Sequence, residues 1–304
     1  MNITSLRSEI LGTSPKIAIS HTDADGILAV VMLLKIKPVE RVYFTSPAKI
    51  MKTIGNAIYT DGIQNDLYIF DISGTKKTIA ASSVFENTFW IDHHEWNENL
   101  AHVKNFDNVQ AVVNSDAKSA TNVAAGYFGI SSNLVTYADE IDINEVKSLE
   151  SERILNITES FRATRAYYKM LEFARKLAID ENEIYNPFYD KLIEERKILI
   201  EKAINFAKDI VVFEKIKDLN VGIIETDESL PVSKISDDIK CDILVAVMHQ
   251  NGNTKIEFRS KTEDVFFIAK EFGGGGHKCA SGATLEGNVS GKDVLKKISS
   301  LLTN

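Results

Sequence analysis

The most constraining stretch of the chain is Ile91-Asp92-His93-His94. An apolar run, Val84-Phe85 and then Phe89-Trp90-Ile91, ends abruptly in one carboxylate and two imidazoles. A buried strand that delivers a polar site at its C-terminal end has this pattern, and ligands of open α/β sheets gather at such ends. Three metal-type side chains in a row on a non-helical segment cannot all point one way, so they divide labour. One imidazole suits a metal, one a substrate, and the carboxylate can hold a ring nitrogen. A histidine satisfied inside a core accounts for the tripeptide alone equally well, so its company decides.

That company is spread over a chain of 304 residues, more than one compact core usually holds, which argues for two domains. No run approaches the ~18 apolar residues of a membrane span. Met1 to Gly12 lacks a basic start followed by an apolar block, so no secretion signal is expected. Cys241 and Cys279 make no disulfide framework, and a cytoplasmic location fits. Cys279 has no second thiol near it and reads as a small packing residue. The net charge of −8 argues against a long nucleic-acid duplex, which basic proteins usually hold, but not against a small phosphorylated substrate. No membrane partner is implied, and the sequence leaves room for a homodimer.

Read in order, Lys16–Ser20 is a short β-rich run followed at once by His21-Thr22-Asp23-Ala24-Asp25-Gly26 and then an apolar helix closed before Pro38. His21, Asp23 and Asp25 alternate, and alternate residues of extended backbone share a face. An N-cap needs one acidic residue, not His-x-Asp-x-Asp. Gly26 is expected to let the chain turn sharply into the helix. Strands are expected at 41–45 and 66–71, with a helix at 47–59 between them and a short one at 76–83. Asp71 then stands at a strand exit before Ile72-Ser73-Gly74, where a plain turn carboxylate is the competing reading. Alternating strands and helices imply a parallel sheet with helices on both faces.

A strand is expected at 111–114 and helices at 119–128 and 134–142, the last ending in Asp139 and Asp142 on one helical face. Residues 144–208 read as charge-laced helices that close the first domain and bridge to the second. Their basic residues, Arg153, Arg162, Arg165, Lys169 and Arg175, are read mostly as a solvated face. From Ile210 the texture returns to β, with strands near 211–213, 221–224, 243–248 and 255–259. Helices are expected at 231–239, 264–272 and 294–302, and a last strand at 283–285. The fold class is therefore α/β: an N-terminal parallel-sheet domain over 1–195, a helical linker over 196–212 and a smaller C-terminal α/β domain over 213–304.

Gathered together, the strand-end residues are His21, Asp23, Asp25, Asp71, Asp92, His93 and His94, with Asp139 further on. Mixed carboxylate and imidazole donors suit Mn²⁺ better than Mg²⁺. So many carboxylates suit two ions, which ~3.5–4 Å apart clamp an in-line displacement at phosphorus.

These residues resemble the four ordered motifs of the DHH phosphoesterase superfamily: His21-x-Asp23-x-Asp25-Gly26, Asp71 after a strand, Asp92-His93-His94, and Asp139. The tail Gly273-Gly274-Gly275-Gly276-His277-x-x-Ala280-Ser281-Gly282 resembles the glycine-rich signature of the DHH-associated C-terminal domain, where Ala-Ala-Gly is commoner at the end. Lys255 to Ser260 resembles the strand that supplies that domain's arginine, here Arg259.

The resemblance implies that His21 and Asp23 bind one metal, that Asp25, His93 and Asp139 bind the other, and that Asp71 bridges them. Asp142 stands as a rival to Asp139. Asp92 would orient an imidazole and His94 would face the phosphate, with a hydroxide attacking phosphorus in line. The loop of Gly274, Gly275 and Gly276 would offer backbone N–H groups to a phosphate, with His277 beside it and Arg259 pairing with another phosphate. Two Mn²⁺ ions are implied, with Mg²⁺ or Co²⁺ as substitutes. The implied function is hydrolysis of very short oligonucleotides or linear dinucleotides. Alternatives are a 3′-phosphatase of 3′,5′-bisphosphorylated adenosine, a RecJ-like single-strand exonuclease, and a non-catalytic replication scaffold. Every ligand position is filled, which speaks against the scaffold.

Overall fold

A computed structural model describes residues 16–303, so the Met1–Gly12 segment lies outside the described residues. The chain divides into two units, residues up to Glu194 and Glu195–Asn304.

The first unit holds five parallel strands, β1 (Lys16–His21), β2 (Arg41–Thr45), β3 (Asp66–Phe70), β4 (Asn87–Asp92) and β5 (Val109–Val113). Their order is β2-β1-β3-β4-β5. The chain leaves β1 toward one edge and returns on its other side at β3, which makes a switch point between the two strands' C-terminal ends. Ligands of doubly wound sheets bind at such a point.

Helices cover both faces. They are α1 (Ala24–Ile36), α2 (Ile50–Asp61), α3 (Lys76–Ser82), α4 (Asn99–His102), α5 (Ala120–Phe128), α6 (Asn133–Asp142), α7 (Leu149–Ala163) and α8 (Tyr167–Ile179). Side chains alternate along each strand. Ala18, Tyr68, Phe70 and Ile91 join one core with α1, α5, α6, α7 and α8, while Ile17, Ile19, Leu67, Ile69 and Trp90 join the other with α2 and α3. The charge-laced segment after 144 thus contributes buried Ile154, Ile157, Phe161, Met170, Phe173 and Leu177 to the first unit.

Helix α1 is buried from Ala24 to Leu33, which explains its unbroken apolar run. Truncating one such buried leucine, Leu28→Ala, costs about 2–5 kcal/mol. Gly26 serves close approach rather than an unusual backbone angle. A Cβ there would meet the His21 carbonyl oxygen at 2.7 Å and Ser20 Oγ at 2.9 Å.

A long helix, α9 (Asp190–Ile210), contains the division between units. Its Ala203, Ile204 and Ala207 pack on the core of the second unit, so residues 196–212 are more than a spacer. That unit has β6 (Val212–Ile216), β7 (Leu219–Thr226), β8 (Ile243–Gln250), β9 (Asn253–Ser260), β10 (Gly275–His277) and β11 (Ala280–Glu286), in the order β10-β11-β9-β8-β7-β6. Helices α10 (Val232–Asp238), α11 (Phe266–Glu271) and α12 (Gly291–Thr303) complete it. Among the described residues of this unit, only the β7–β8 pair is parallel. Part of the glycine run, expected as a loop, is the edge strand β10. Among the described residues no helix is long and apolar enough to cross a membrane.

Candidate metal centre

Three strand exits and two helix ends converge in the first unit. His21 ends β1, and Asp23 caps α1 by accepting from the Gly26 N–H at 3.1 Å. The other oxygen of Asp23 lies 2.5 Å from His21 Nδ1. Asp71 follows β3 with φ 55°, a left-handed conformation that Asp tolerates better than most residues. Its Oδ2 is 3.4 Å from His21 Nδ1, and its Oδ1 is 3.7 Å from His93 Nε2 and 3.8 Å from His94 Nδ1.

Asp25, on the first turn of α1, accepts the Ala120 and Thr121 N–H groups at 2.6 and 2.8 Å. These are orphan donors of the N-terminus of α5, where negative charge is favoured. Its Oδ2 also lies 3.9 Å from His93 Nε2, and Asp142 Oδ2 lies 3.4 Å from the same atom. His93 Nδ1 faces the Ala117 carbonyl at 3.4 Å, leaving Nε2 toward the acids.

Among the described residues, three groups of side chains are placed to hold a metal: His21 with Asp23 and Asp71; Asp71 with His93 and His94; and Asp25 with His93 and Asp142. Within each group the donor atoms lie within 4.8 Å of one another. Asp71 and His93 each belong to two groups, so the three interlock.

Two observations say that this nest fits cations. Among the described residues, Asp71 Oδ2 and His93 Nε2 are buried without a hydrogen-bond partner, which costs free energy unless something else pairs with them. The acids also repel one another. Burial and then the Asp142 charge push Asp25 up to about 7. Burial and then Asp23 push Asp142 up to about 7. Burial, Asp23 and Asp25 hold Asp71 well above the usual carboxylate range. Divalent cations relieve both burdens, and mixed carboxylate and imidazole donors match a borderline ion. Asp23 departs from its neighbours: burial disfavours its charge, but the His21 contact prevails and lowers its pKa. His21 rises correspondingly, Asp23 outweighing burial.

Asp92 stands behind the nest. Its Oδ1 holds His94 Nδ1 at 2.8 Å and the His93 N–H at 2.9 Å. Burial opposes its charge, but the His94 bond and charge, with the Trp96 N–H and His93, together hold its pKa below the usual value.

Asp139, expected as the fourth-motif ligand, is placed elsewhere. Its oxygens accept from Ser119 Oγ at 2.6 Å and Asn122 Nδ2 at 3.0 Å, so it braces the start of α5. Asp142, one turn on, is the acid that reaches His93. Sequence reasoning also missed Glu140, which ties α6 to α7, and Trp96, which donates to Asp92. Neither carries a motif signal, since an exposed-looking acid and an apolar aromatic are ordinary residues.

In the second unit, Arg259 Nη2 pairs with Glu257 at 2.7 Å and Nη1 donates to the Phe258 carbonyl at 2.9 Å. The expected amide cradle needs correction at its start. The Gly273 and Gly274 N–H groups are already bonded to the Lys270 and Ala269 carbonyls. Gly274 and Gly276 are glycine because the backbone is close-packed: a Cβ would lie 2.1 Å from the Gly282 oxygen or 2.6 Å from the Ala280 oxygen. Gly275, Gly276 and His277 are exposed on the edge strand.

Comparison with known proteins bears on the fold. Residues 215–304 match the DHHA1 domain. Over the whole chain, solved structures of low identity share the fold. Among solved structures it is similar to a pGpG-specific phosphodiesterase, PggH, from Vibrio cholerae, with a TM-score of 0.58, 14% identity, and 95% of this chain and 98% of that one covered. An exopolyphosphatase-related protein from Bacteroides fragilis gives a TM-score of 0.59 at 15% identity, covering 99% and 97%. Exonuclease RecJ bound to manganese gives 0.55 at 13% identity, covering 99% and 93%. No curated protein matches the chain. These neighbours include a protein described as a pGpG-specific phosphodiesterase and one described as an exonuclease, and the likeness is one of fold.

Proposed function

We propose that this chain is a Mn²⁺-dependent phosphodiesterase that hydrolyses very short oligonucleotides or linear dinucleotides to mononucleotides in the cytoplasm. The observation that carries the reading is the interlocked nest, in which buried Asp71 and His93 are each shared between two ligand groups.

His21, Asp23 and Asp71 would hold one cation, and Asp25, His93, Asp142 and Asp71 the other. Bound there, the pair would supply Lewis acidity toward a phosphate ester and a bound water of lowered pKa. The chain's own groups do the rest. Asp92 fixes the His94 ring through Nδ1, so the remaining ring nitrogen is free to serve a phosphate or leaving-group oxygen. Arg259, displaced from Glu257, and His277 would recognise a second phosphate. Short substrates are favoured by the net charge of −8 and by likeness to a protein described as specific for pGpG.

The test is incubation with Mn²⁺ and a panel: a 5′-phosphorylated diribonucleotide, a cyclic dinucleotide, 3′,5′-bisphosphorylated adenosine and a long single strand. Fast mononucleotide release from the diribonucleotide, with the long strand nearly inert, supports the reading. Preference for the bisphosphate or the long strand overturns the substrate assignment. Absence of turnover with metal bound overturns the enzyme.

A further inference from the structure

We propose that Trp96 and Gly74 form a lock that fixes the direction of the Asp92 carboxylate and, through it, of the His94 imidazole. The lock deepens the phosphoesterase reading above and rests on it for its effect on turnover.

The Asp92 carboxylate is 0% exposed and has two partners on each oxygen. Oδ1 takes the His93 N–H and His94 Nδ1. Oδ2 takes the Trp96 indole N–H at 2.7 Å and the Ser73 hydroxyl at 3.3 Å. The indole bond is therefore the short one on that side. The carboxyl torsion is broad and roughly two-fold, so a carboxylate is held only as well as its partners hold it. Without the indole N–H, Oδ2 keeps one long bond. The carboxylate can then rotate, and His94 swings with it.

The indole is itself held by two neighbours. It is 2% exposed and stands edge-on to Trp90, with centroids 5.2 Å apart at 90°. It also lies directly against the backbone of Gly74. A Cβ there would sit 2.5 Å from Trp96 Cζ3 and 2.6 Å from Cη2. Any other residue at position 74 displaces the ring.

Gly74 and Ser73 belong to the loop that leaves Asp71, while Trp96 follows His93 and His94. The lock thus joins the two loops that carry shared metal-type ligands. A purely structural tryptophan needs any buried acceptor for its N–H. This one takes an ionised carboxylate that also orients a site imidazole. Trp96 and Gly74 are positioning residues, acting through Asp92.

The experiment uses Trp96→Phe, Gly74→Ala and the double variant. Trp96→Phe keeps an aromatic ring and removes the N–H; Gly74→Ala keeps the N–H and pushes the ring. Each is expected to lower kcat on the diribonucleotide about tenfold or more, the factor carried by a hydrogen bond to a charged group. KM and far-UV circular dichroism stay unchanged. The double variant is expected to be no slower than the slower single variant, because both break one device. Unchanged kcat in both single variants, or losses that multiply in the double, would overturn the lock.

A second readout needs no activity. The chain has two tryptophans, hence two indole N–H resonances, and Trp96→Phe assigns them. Asp92→Asn is expected to move the Trp96 resonance and leave that of Trp90, whose N–H goes to Ser82 Oγ. If the wild-type chain cleaves nothing in the panel, the phosphoesterase reading falls alone, and this resonance decides the lock. An unmoved signal overturns it.

Discussion

Asp142 Oδ2, on the last turn of α6, lies 3.4 Å from His93 Nε2 at the exit of β4. Helix end and strand end therefore meet at one ring nitrogen that has no hydrogen-bond partner among the described residues. Asp139 shares the helix but spends both oxygens on Ser119 and Asn122. The two acids are expected to separate cleanly on mutation. Asp142→Asn should bind one Mn²⁺ fewer by calorimetric titration. Its kcat should fall by more than the about 10–100-fold that loss of an outer partner causes. Asp139→Asn should keep both ions and lose about 1 kcal/mol of stability from weakened bracing of α5. Equal metal loss in both variants would contradict the placement.

Asp71 is the acid on which two ligand groups depend. Asp71→Asn is expected to abolish turnover while the fold persists. It should also raise the melting temperature of the metal-free protein, because it removes a buried charge pressed by Asp23 and Asp25. The stabilisation that Mn²⁺ gives the wild type should shrink in the same variant. Calorimetry with chelator and with Mn²⁺ checks both halves. Near-normal activity would contradict a shared carboxylate.

The strand-exit residues were legible because their signal is local. His21, Asp23, Asp25, Asp71, Asp92, His93 and His94 stand where an apolar run stops, and the sheet order then brings those stops together. The choice between Asp139 and Asp142 was not legible. Both lie on one helical face, and only the landing of α6 against β4 and α5 tells them apart. Trp96 was not legible either, because its single polar atom is invisible in a hydropathy pattern. The glycine run read as an open phosphate loop. Its closeness to β11, which demands glycine at 274 and 276, depends on a strand pairing that the sequence does not announce.

Glu140 gathers four donors on one oxygen: the Ser148 N–H at 3.0 Å and hydroxyl at 2.8 Å, the Ser151 hydroxyl at 2.7 Å and the Lys147 N–H at 3.1 Å. The Ser148 backbone bond, then the serine hydroxyls, pull its pKa down to about 2. A lowered carboxylate pKa stabilises the fold above the unfolded value near 4.5, and that stability is lost as pH falls toward about 2. Glu140→Gln is therefore expected to cost about 1 kcal/mol at pH 6, discounted for its partial exposure. The gap to wild type should close progressively below about pH 4.5. Denaturant unfolding at pH 6 and pH 3 checks this. A gap undiminished at pH 3 would assign the cost to packing.

Arg259 is held in place by Glu257, which also takes Lys255 Nζ at 2.5 Å. A guanidinium paired with a carboxylate exchanges partners when a phosphate arrives, because phosphate offers the same two-pronged acceptor geometry with more charge. Arg259→Ala is expected to raise KM for the diribonucleotide by about tenfold or more, with a smaller change in kcat. Arg259→Lys should restore little, since an ammonium cannot make the paired contact. Glu257→Gln should move the other way, loosening Arg259 for substrate and lowering KM. Steady-state kinetics at fixed ionic strength distinguishes the cases. Unchanged KM in Arg259→Ala would remove Arg259 from substrate recognition and leave the Glu257 pair as a structural contact of β9.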